Sequence, residues 1–235
     1  MVWSATMLTL CIDVGGTGIK GNVFDDRGGA RGERVRIDTP RPATPEAVLA
    51  TIVEVGRSHA EFDRIACGFP GVVTGGVVMT APNLDGDWRG FDLAKALADA
   101  LGKPARVAND ADVQGLAVIE GKGVEMVLTL GTGLGSGLYI DGHCVWNLEF
   151  GHHPWNDDET YEDRVDDAAR KEIGNKKWEK RVRQIPERLA PIFNYRRLYL
   201  GGGNASRLDA KALPEDVRVI DNAAGMLGGL KLWEQ

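Results

Sequence analysis

The chain predicts an α/β fold made of two related halves. Two observations carry this. Strand-like apolar runs alternate with helix-like amphipathic runs, which is the pattern of layered α/β architecture. A strand, a glycine-threonine hairpin and a return strand also occur twice, once around Thr17 and again around Thr132, so each half offers one such hairpin to a shared cleft.

Residues 8–14 form an apolar run interrupted by Thr9 and Asp13, which suits a buried strand. They enter Gly15-Gly16-Thr17-Gly18, a second strand over 19–24, a polar turn over 25–29 and a third strand over 31–37. Thr44-Pro45-Glu46 carries a capping hydroxyl followed by proline at the first helical position, and Val48, Leu49, Ile52, Val53 and Val55 continue as one apolar helical face to about His59. A strand over 64–68, a hairpin around Thr74-Gly75-Gly76, a polar loop reaching Trp88 and a helix over 92–101 closed by Gly102 follow. Residues 105–108 are strand-like and lead through Asn109-Asp110-Ala111-Asp112 into a helix-like run that reaches Gly121.

The second half repeats the theme. An apolar strand over 126–130 meets a glycine-rich turn over 131–137, with a return strand over 138–140. Asp141-Gly142 is a strong two-residue hairpin signal before a strand over 143–146. Residues 160–193 read as helical and charged, 198–200 as a short strand entering Gly201-Gly202-Gly203-Asn204, and 217–220 as a last strand. Asn222 is expected to cap a final helix reaching Trp233.

With 235 residues the chain is long enough for one large domain or two small ones, and its apolar and charged fractions are those of a globular protein. A net charge of -6 argues against general nucleic-acid binding. Cys11, Cys67 and Cys144 lie far apart without metal-ligand spacing and read as reduced thiols. No apolar run approaches the roughly 20 residues of a membrane span, and residues 1–6 lack the features of a signal peptide, so a cytoplasmic protein without a membrane partner is expected.

Glycine between two strands can be a plain hairpin or a phosphate cradle. The backbone of Gly15-Gly16-Thr17-Gly18 can present several amides to one anion, and Thr17 and Thr132 add hydroxyls at matching places. Asp13, a carboxylate in an apolar strand, needs a partner or a cation; a magnesium ion held through water fits, because that ion keeps its waters and takes few carboxylates. Neither a Walker sequence nor a dinucleotide fingerprint is present, since Gly131-x-Gly133-x-Gly135 runs into a strand rather than a helix. Asn109-Asp110 is open to two readings. It is common turn chemistry, and it is also an amide and carboxylate able to grip a polyol and remove a proton from it.

Asp13-Val14-Gly15-Gly16-Thr17-Gly18-Ile19-Lys20 resembles the first phosphate motif of the ROK sugar kinases, within the actin and hexokinase superfamily. Gly68-Phe69-Pro70-Gly71-Val72-Val73, Ala81-Pro82-Asn83-Leu84, Asn109-Asp110-Ala111, residues 130–136 and Glu149-Phe150-Gly151-His152 resemble further motifs of that family, in its order. The Thr39-Pro40-Arg41-Pro42-Ala43-Thr44-Pro45 segment, Pro70-Gly71-Val72-Val73-Thr74 and the compact C-terminal half are most similar to the polyphosphate glucokinase branch. The resemblance implies an actin-like ATPase (ribonuclease H-like) fold. The N-terminal domain would span 1–109, with a final helix at about 222–235 packing back on it, and the C-terminal domain 110–221, with a cleft between them.

It further implies a glucokinase acting on the 6-hydroxyl of glucose or a related hexose, with Asp110 as the general base. Gly71, Asn83, Asn109, Asp110, Glu149 and His152 would meet the sugar, and Asp13, Gly15, Gly16, Thr17, Lys20, Gly131, Thr132 and Gly133 the phosphates. Mg2+ would sit at Asp13 through water. Gly202, Gly203 and Asn204 would lie on the nucleotide or polyphosphate side, and a homodimer is implied. Many family members carry a cysteine-rich zinc motif after Glu-x-Gly-His; here Gly151-His152-His153-Pro154-Trp155 leads into an acidic stretch without cysteine, so no zinc site is expected. The first phosphate strand begins by Leu8, which leaves no room for the N-terminal helix-turn-helix of the family's repressors.

The donor stays open between polyphosphate and ATP. Residues 164–197 hold eleven Lys or Arg against five Asp or Glu, which fits a track for a long polyanion and equally a solvated helix face. The alternatives are an ATP-dependent kinase of another hexose such as N-acetylmannosamine, and a sugar-binding sensor that does not catalyse.

Overall fold

The computed structural model describes residues 6–220 and 222–235, and the side chains of these outside 222–224. The chain divides into two compact units, Met1–Ala117 with Met226–Gln235, and Val118–Gly225.

In the first unit β1 (Leu8–Val14), β2 (Gly18–Asp25) and β3 (Val35–Asp38) form the antiparallel meander. The helix α1 (Pro45–Arg57) follows, with Thr44 accepting the Ala47 amide as its cap. Then come β4 (Arg64–Phe69), the small hairpin β5 (Val73–Thr74) and β6 (Val77–Val78), α2 (Leu93–Leu101), β7 (Ala105–Asn109) and α3 (Asp110–Leu116). The five-stranded sheet has the order β3-β2-β1-β4-β7, with β1, β4 and β7 parallel. Because β1 is central it is buried on both faces. Leu10, Ile12 and Val14 join the core that also holds Val48, Ile52 and Leu97 from α1 and α2. Cys11 faces the other way, and burial pushes its thiol up to about 12.

In the second unit β8 (Val124–Leu130), β9 (Leu134–Ile140) and β10 (His143–Val145) form a second meander. Asp141 and Gly142 turn between the last two with φ of 49° and 87°, as a two-residue hairpin of this kind requires. Four helices follow: α4 (Tyr161–Val165), α5 (Asp167–Ile173), α6 (Asn175–Val182) and α7 (Gln184–Phe193). β11 (Arg197–Gly201) and β12 (Val217–Val219) complete a sheet of order β10-β9-β8-β11-β12, with β8, β11 and β12 parallel. Trp178, fully buried, anchors the helices on this sheet and donates from Nε1 to Val165 O at 2.8 Å. The two sheets therefore share one strand order and one set of strand directions, so the repeated hairpin of the sequence belongs to a repeated topology.

The structure differs from the sequence expectation in four places. The run into Gly121 stops being helical at Leu116, because the buried carboxylate of Glu125 accepts the amides of Glu120, Gly121 and Lys122 at 2.9, 2.7 and 3.1 Å and pulls them out of the helical ladder. The third strand is confined to Val35–Asp38, with only an isolated bridge from Phe24 to Ala30 before it. The seven-residue glycine turn shrinks to residues 131–133, since β9 already begins at Leu134. The expected final helix is a 3-10 segment, Asn222–Leu227, followed by one α turn, α8 (Gly228–Lys231); the expected cap by the Asn222 side chain lies outside the described residues. Glycine is a poor helix former, and here it is required for packing. A Cβ at Gly228 would collide with the Val113 carbonyl of α3, and one at Gly229 would stand 2.7 Å from Cys11 Sγ.

The first unit takes in α3, which packs on β4, β7 and α8. No helix of the described residues is long and apolar enough to cross a membrane.

Candidate active site

The parallel strands of the first unit end on one edge of its sheet, and the predicted residues of this unit cluster there. In register, Asp13 lies beside Gly68, Gly68 beside Ala108, and Phe69 beside Asn109. The turn after β1, the Pro70-Gly71 bend after β4 and Asn109-Asp110 after β7 therefore share the carboxyl edge. Open α/β sheets bind ligands at this edge.

The turn after β1 is braced from behind. Gly15 donates its amide to Gly18 O at 3.1 Å, which closes the turn. Its carbonyls are then taken one by one: Thr39 Oγ1 donates to Gly15 O at 2.6 Å, an Arg41 guanidinium N–H to Gly16 O at 2.9 Å, and an Arg36 guanidinium N–H to Thr17 O at 3.1 Å. The Gly16 and Thr17 amides find no acceptor among the described residues, and a Cβ at Gly16 would meet nothing within 4 Å. Held in this way, the turn offers donors to an approaching anion. Asp13 is paired across the hairpin with Lys20, Oδ2 to Nζ at 3.0 Å, so the carboxylate in the strand is not isolated.

Asn109 carries the turn chemistry of its first reading and keeps the second open. Its Oδ1 caps α3 by accepting the Ala111 and Asp112 amides at 2.8 and 3.1 Å. Its Nδ2 donates to Gly71 O at 3.2 Å. An amide oxygen has two lone pairs and an amide nitrogen two hydrogens, so one N–H is left for a ligand. Gly71 acts as the orienting acceptor for Asn109, and it must be glycine because a side chain would strike Thr80 O. Asp110 is the first residue of α3, accepts the Ala111 amide at 2.8 Å and is partly exposed at this edge. Gly68 makes room for it: a Cβ there would lie 3.3 Å from Asp110 Cα. Asn83 is exposed in the turn closed by Leu84 N to Ala81 O at 3.2 Å and makes no hydrogen bond among the described residues.

In the second unit, Gly131 donates to Gly133 O at 3.0 Å, echoing the first turn, and Thr132 is exposed as Thr17 is. Gly133 has a further cause. A Cβ there would run into the Glu162 carboxylate, which accepts the Leu134 amide at 2.7 Å. Glu149 and His152 meet through Oε2 and Nε2 at 3.4 Å. Burial raises the Glu149 carboxyl above the usual range; His152 opposes this and the nearby Glu162 charge adds to it. Glu162 stands beside the second glycine turn and Glu149, a placement that sequence reasoning missed. The signal was present in Thr160-x-x-Asp163, a capping box that starts α4 and puts Glu162 on its first turn.

The glycine-rich segment after β11 is more inward than expected. Asn204 is buried, donates its amide to Leu130 O at 3.0 Å and its Nδ2 to Asp167 Oδ1 at 3.2 Å, and accepts from Arg207 Nε at 3.4 Å. Gly202 takes φ of 88° against the Leu130 backbone, while Gly203 is exposed with open space around it. Asp167, bound by Lys171, Arg170 and Asn204, has its carboxyl held well below the usual range. Five of the eleven cations of the 164–197 segment are held in ion pairs, Arg164 with Glu159, Arg170 and Lys171 with Asp167, Arg183 with Glu179 and Arg196 with Glu120. Lys176, Lys177 and Lys180 are exposed on α6 without an ion pair among the described residues.

Comparison with known proteins identifies a family. The ROK family profile matches residues 9–161. A polyphosphate glucokinase of Mycobacterium tuberculosis is 38% identical, over 92% of this chain and 88% of that protein. The crystal structure of an inorganic polyphosphate/ATP-glucomannokinase from Arthrobacter sp. strain KM superposes with a TM-score of 0.86 at 31% identity, covering 97% of this chain and 99% of that one. A ROK family glucokinase from Streptomyces griseus, in complex with glucose and AMPPNP, shares the fold at a TM-score of 0.79 and 20% identity. The motifs, the paired sheet topology and these similarities together place the chain in the ROK family.

Proposed function

We propose that this protein is a glucokinase that transfers a phosphoryl group from polyphosphate or ATP to the 6-hydroxyl of glucose. The observation that carries the reading is the shared carboxyl edge of β1, β4 and β7. There a braced, donor-rich turn and an oriented Asn109-Asp110 pair belong to one sheet. Family membership and the similarity to polyphosphate glucokinases support it.

In this reading the two α/β units form a two-domain kinase with the cleft between them. Asp110 accepts the proton of the 6-hydroxyl as its oxygen forms a bond to the terminal phosphorus of the donor, and the bond from that phosphorus to the donor's bridging oxygen breaks. Asn109 contributes its one remaining N–H to the sugar, and Glu149, His152 and Glu162 accept from or donate to other hydroxyls. The amides of Gly16 and Thr17, the hydroxyls of Thr17 and Thr132, and Lys20 receive the donor's charge. Phosphoryl transfer of this kind depends on alignment and charge neutralisation more than on covalent chemistry by the protein. Asp13, already balanced by Lys20, suits the water-mediated hold on Mg2+ that this ion prefers, and the ion would neutralise donor phosphate charge.

Mannose is the second acceptor to test, because the similar Arthrobacter enzyme is a glucomannokinase. A steady-state assay of ATP and polyphosphate side by side, with glucose, mannose and N-acetylmannosamine, decides donor and acceptor. Transfer to none of these sugars from either donor would leave the sensor reading. Asp110→Ala should abolish transfer, and retained transfer would remove Asp110 as the base.

A further inference from the structure

Glu149 and His152 are exposed candidate sugar contacts, with 40% and 58% of their side chains accessible, and their ion-pair contact is with each other. Their aim is therefore set by the backbone that carries them. Regular structure does little there: between Glu149 and α4 the chain has one 3-10 turn, Phe150–His152, and one isolated bridge from Pro154 to Thr160. On the inner side the turn is fixed to β9. Phe150 donates its amide to Ser136 Oγ at 3.0 Å, and Gly151 packs so closely on Leu134 O that a Cβ has no room.

On the outer side the fixing is aromatic. The Phe150 ring stacks near His153 with centroids 5.7 Å apart and meets Tyr161 at 4.5 Å, and Trp155 meets Tyr161 edge-on at 4.9 Å. Trp155 in turn carries two guanidiniums, Arg188 of α7 at 3.5 Å and Arg164 of α4 at 4.4 Å from the ring centroid. Arg188 also donates to Trp155 O at 2.9 Å. A cation over an indole face is attracted by the ring quadrupole, and a bidentate hold of ring and carbonyl by one arginine restricts the loop more than either contact alone.

We infer that Trp155, clamped by Arg188, is a positioning residue that aims Glu149 and His152 at the sugar through the Phe150 and Tyr161 rings. This rests on the acceptor reading proposed above. The alternative is that the stack only helps the second unit fold.

The test is calorimetric glucose binding and steady-state kinetics on the full chain, with Arg188→Ala, Trp155→Ala and Trp155→Phe. Arg188 is exposed, so its truncation leaves the core intact. Arg188→Ala and Trp155→Ala should weaken glucose binding and raise its KM about tenfold, with kcat and donor KM within about twofold of the parent. Trp155→Phe, which keeps an aromatic face for the guanidiniums, should recover most of the affinity. Unchanged glucose affinity with only a lower Tm would overturn the positioning role, and so would equal losses in glucose and donor KM. A parent protein that binds no glucose would instead refute the acceptor reading itself.

Discussion

Asn109 performs two tasks with one amide, and substitution can separate them. In Asn109→Ala the Ala111 and Asp112 amides lose their cap, which costs about 1 kcal/mol. The Gly71 carbonyl loses its donor in a buried position, for about 1 kcal/mol more. The sum of about 2 kcal/mol corresponds to a fall in Tm of about 4–8 °C for a chain of this size. Asn109→Asp keeps the capping oxygen but turns a carboxylate oxygen toward the buried Gly71 O in place of the donor, so its Tm should fall by at least about 2–4 °C. Both variants lack the N–H assigned to the sugar, so both should raise glucose KM about tenfold. Thermal unfolding and steady-state kinetics on the two proteins check this. An Asn109→Ala protein melting within about 1 °C of the parent would refute the capping argument, and an Asn109→Asp protein with unchanged KM would remove Asn109 from the sugar site.

Glu125 is fully buried and accepts three backbone amides together with the Tyr199 hydroxyl at 2.9 Å. Glu125→Gln leaves at least one of those donors facing an NH2 group and should cost about 2 kcal/mol in urea unfolding, against about 1 kcal/mol for Tyr199→Phe; equal stability of all three proteins would contradict the assignment. On the proposed acceptor reading, the raised carboxyl of Glu149 should set an acid limit on activity. As pH falls through that raised value Glu149 takes a proton and ceases to accept from a hydroxyl, so kcat/KM should decline at a higher pH than an ordinary glutamate would cause. Glu162→Gln removes a neighbouring negative charge and should move this limb to lower pH; a shift upward would refute the coupling. For stability the sign is opposite. The Glu149 contribution is fully present below the ordinary glutamate value and is lost as pH rises through the raised one.

Local chemistry was legible in the sequence wherever a single residue type had to sit at a backbone position. Thr44 caps its helix, Gly102 ends α2 at φ of 67°, and Asp141-Gly142 turns as its composition requires. The motifs that carry the family resemblance were legible for the same reason. The unread parts all depend on partners distant in sequence. Arg36 and Arg41 brace a turn some twenty residues before them, Glu125 ends a helix that precedes it, and Gly133 is small for the sake of Glu162. No local pattern distinguishes a glycine that admits a phosphate from one that admits a carboxylate. Asn204 shows the same limit, since its inward bond to Asp167 joins residues on different elements.

The closing residues have a consequence for the order in which the protein is made. Gly228 and Gly229 pack on α3 and β1, Arg106 donates to Leu232 O at 2.8 Å, and Trp233 lies against Arg64 and Arg106. One face of the first sheet is therefore covered by residues that leave the ribosome after the whole of Val118–Gly225. Domains generally mature as they emerge, earliest first. Here the unit that starts first is finished last, and until then Cys11 and Ala66 lack their Gly229 cover, so a nascent chain shields this strand face by some other means or waits with it bare.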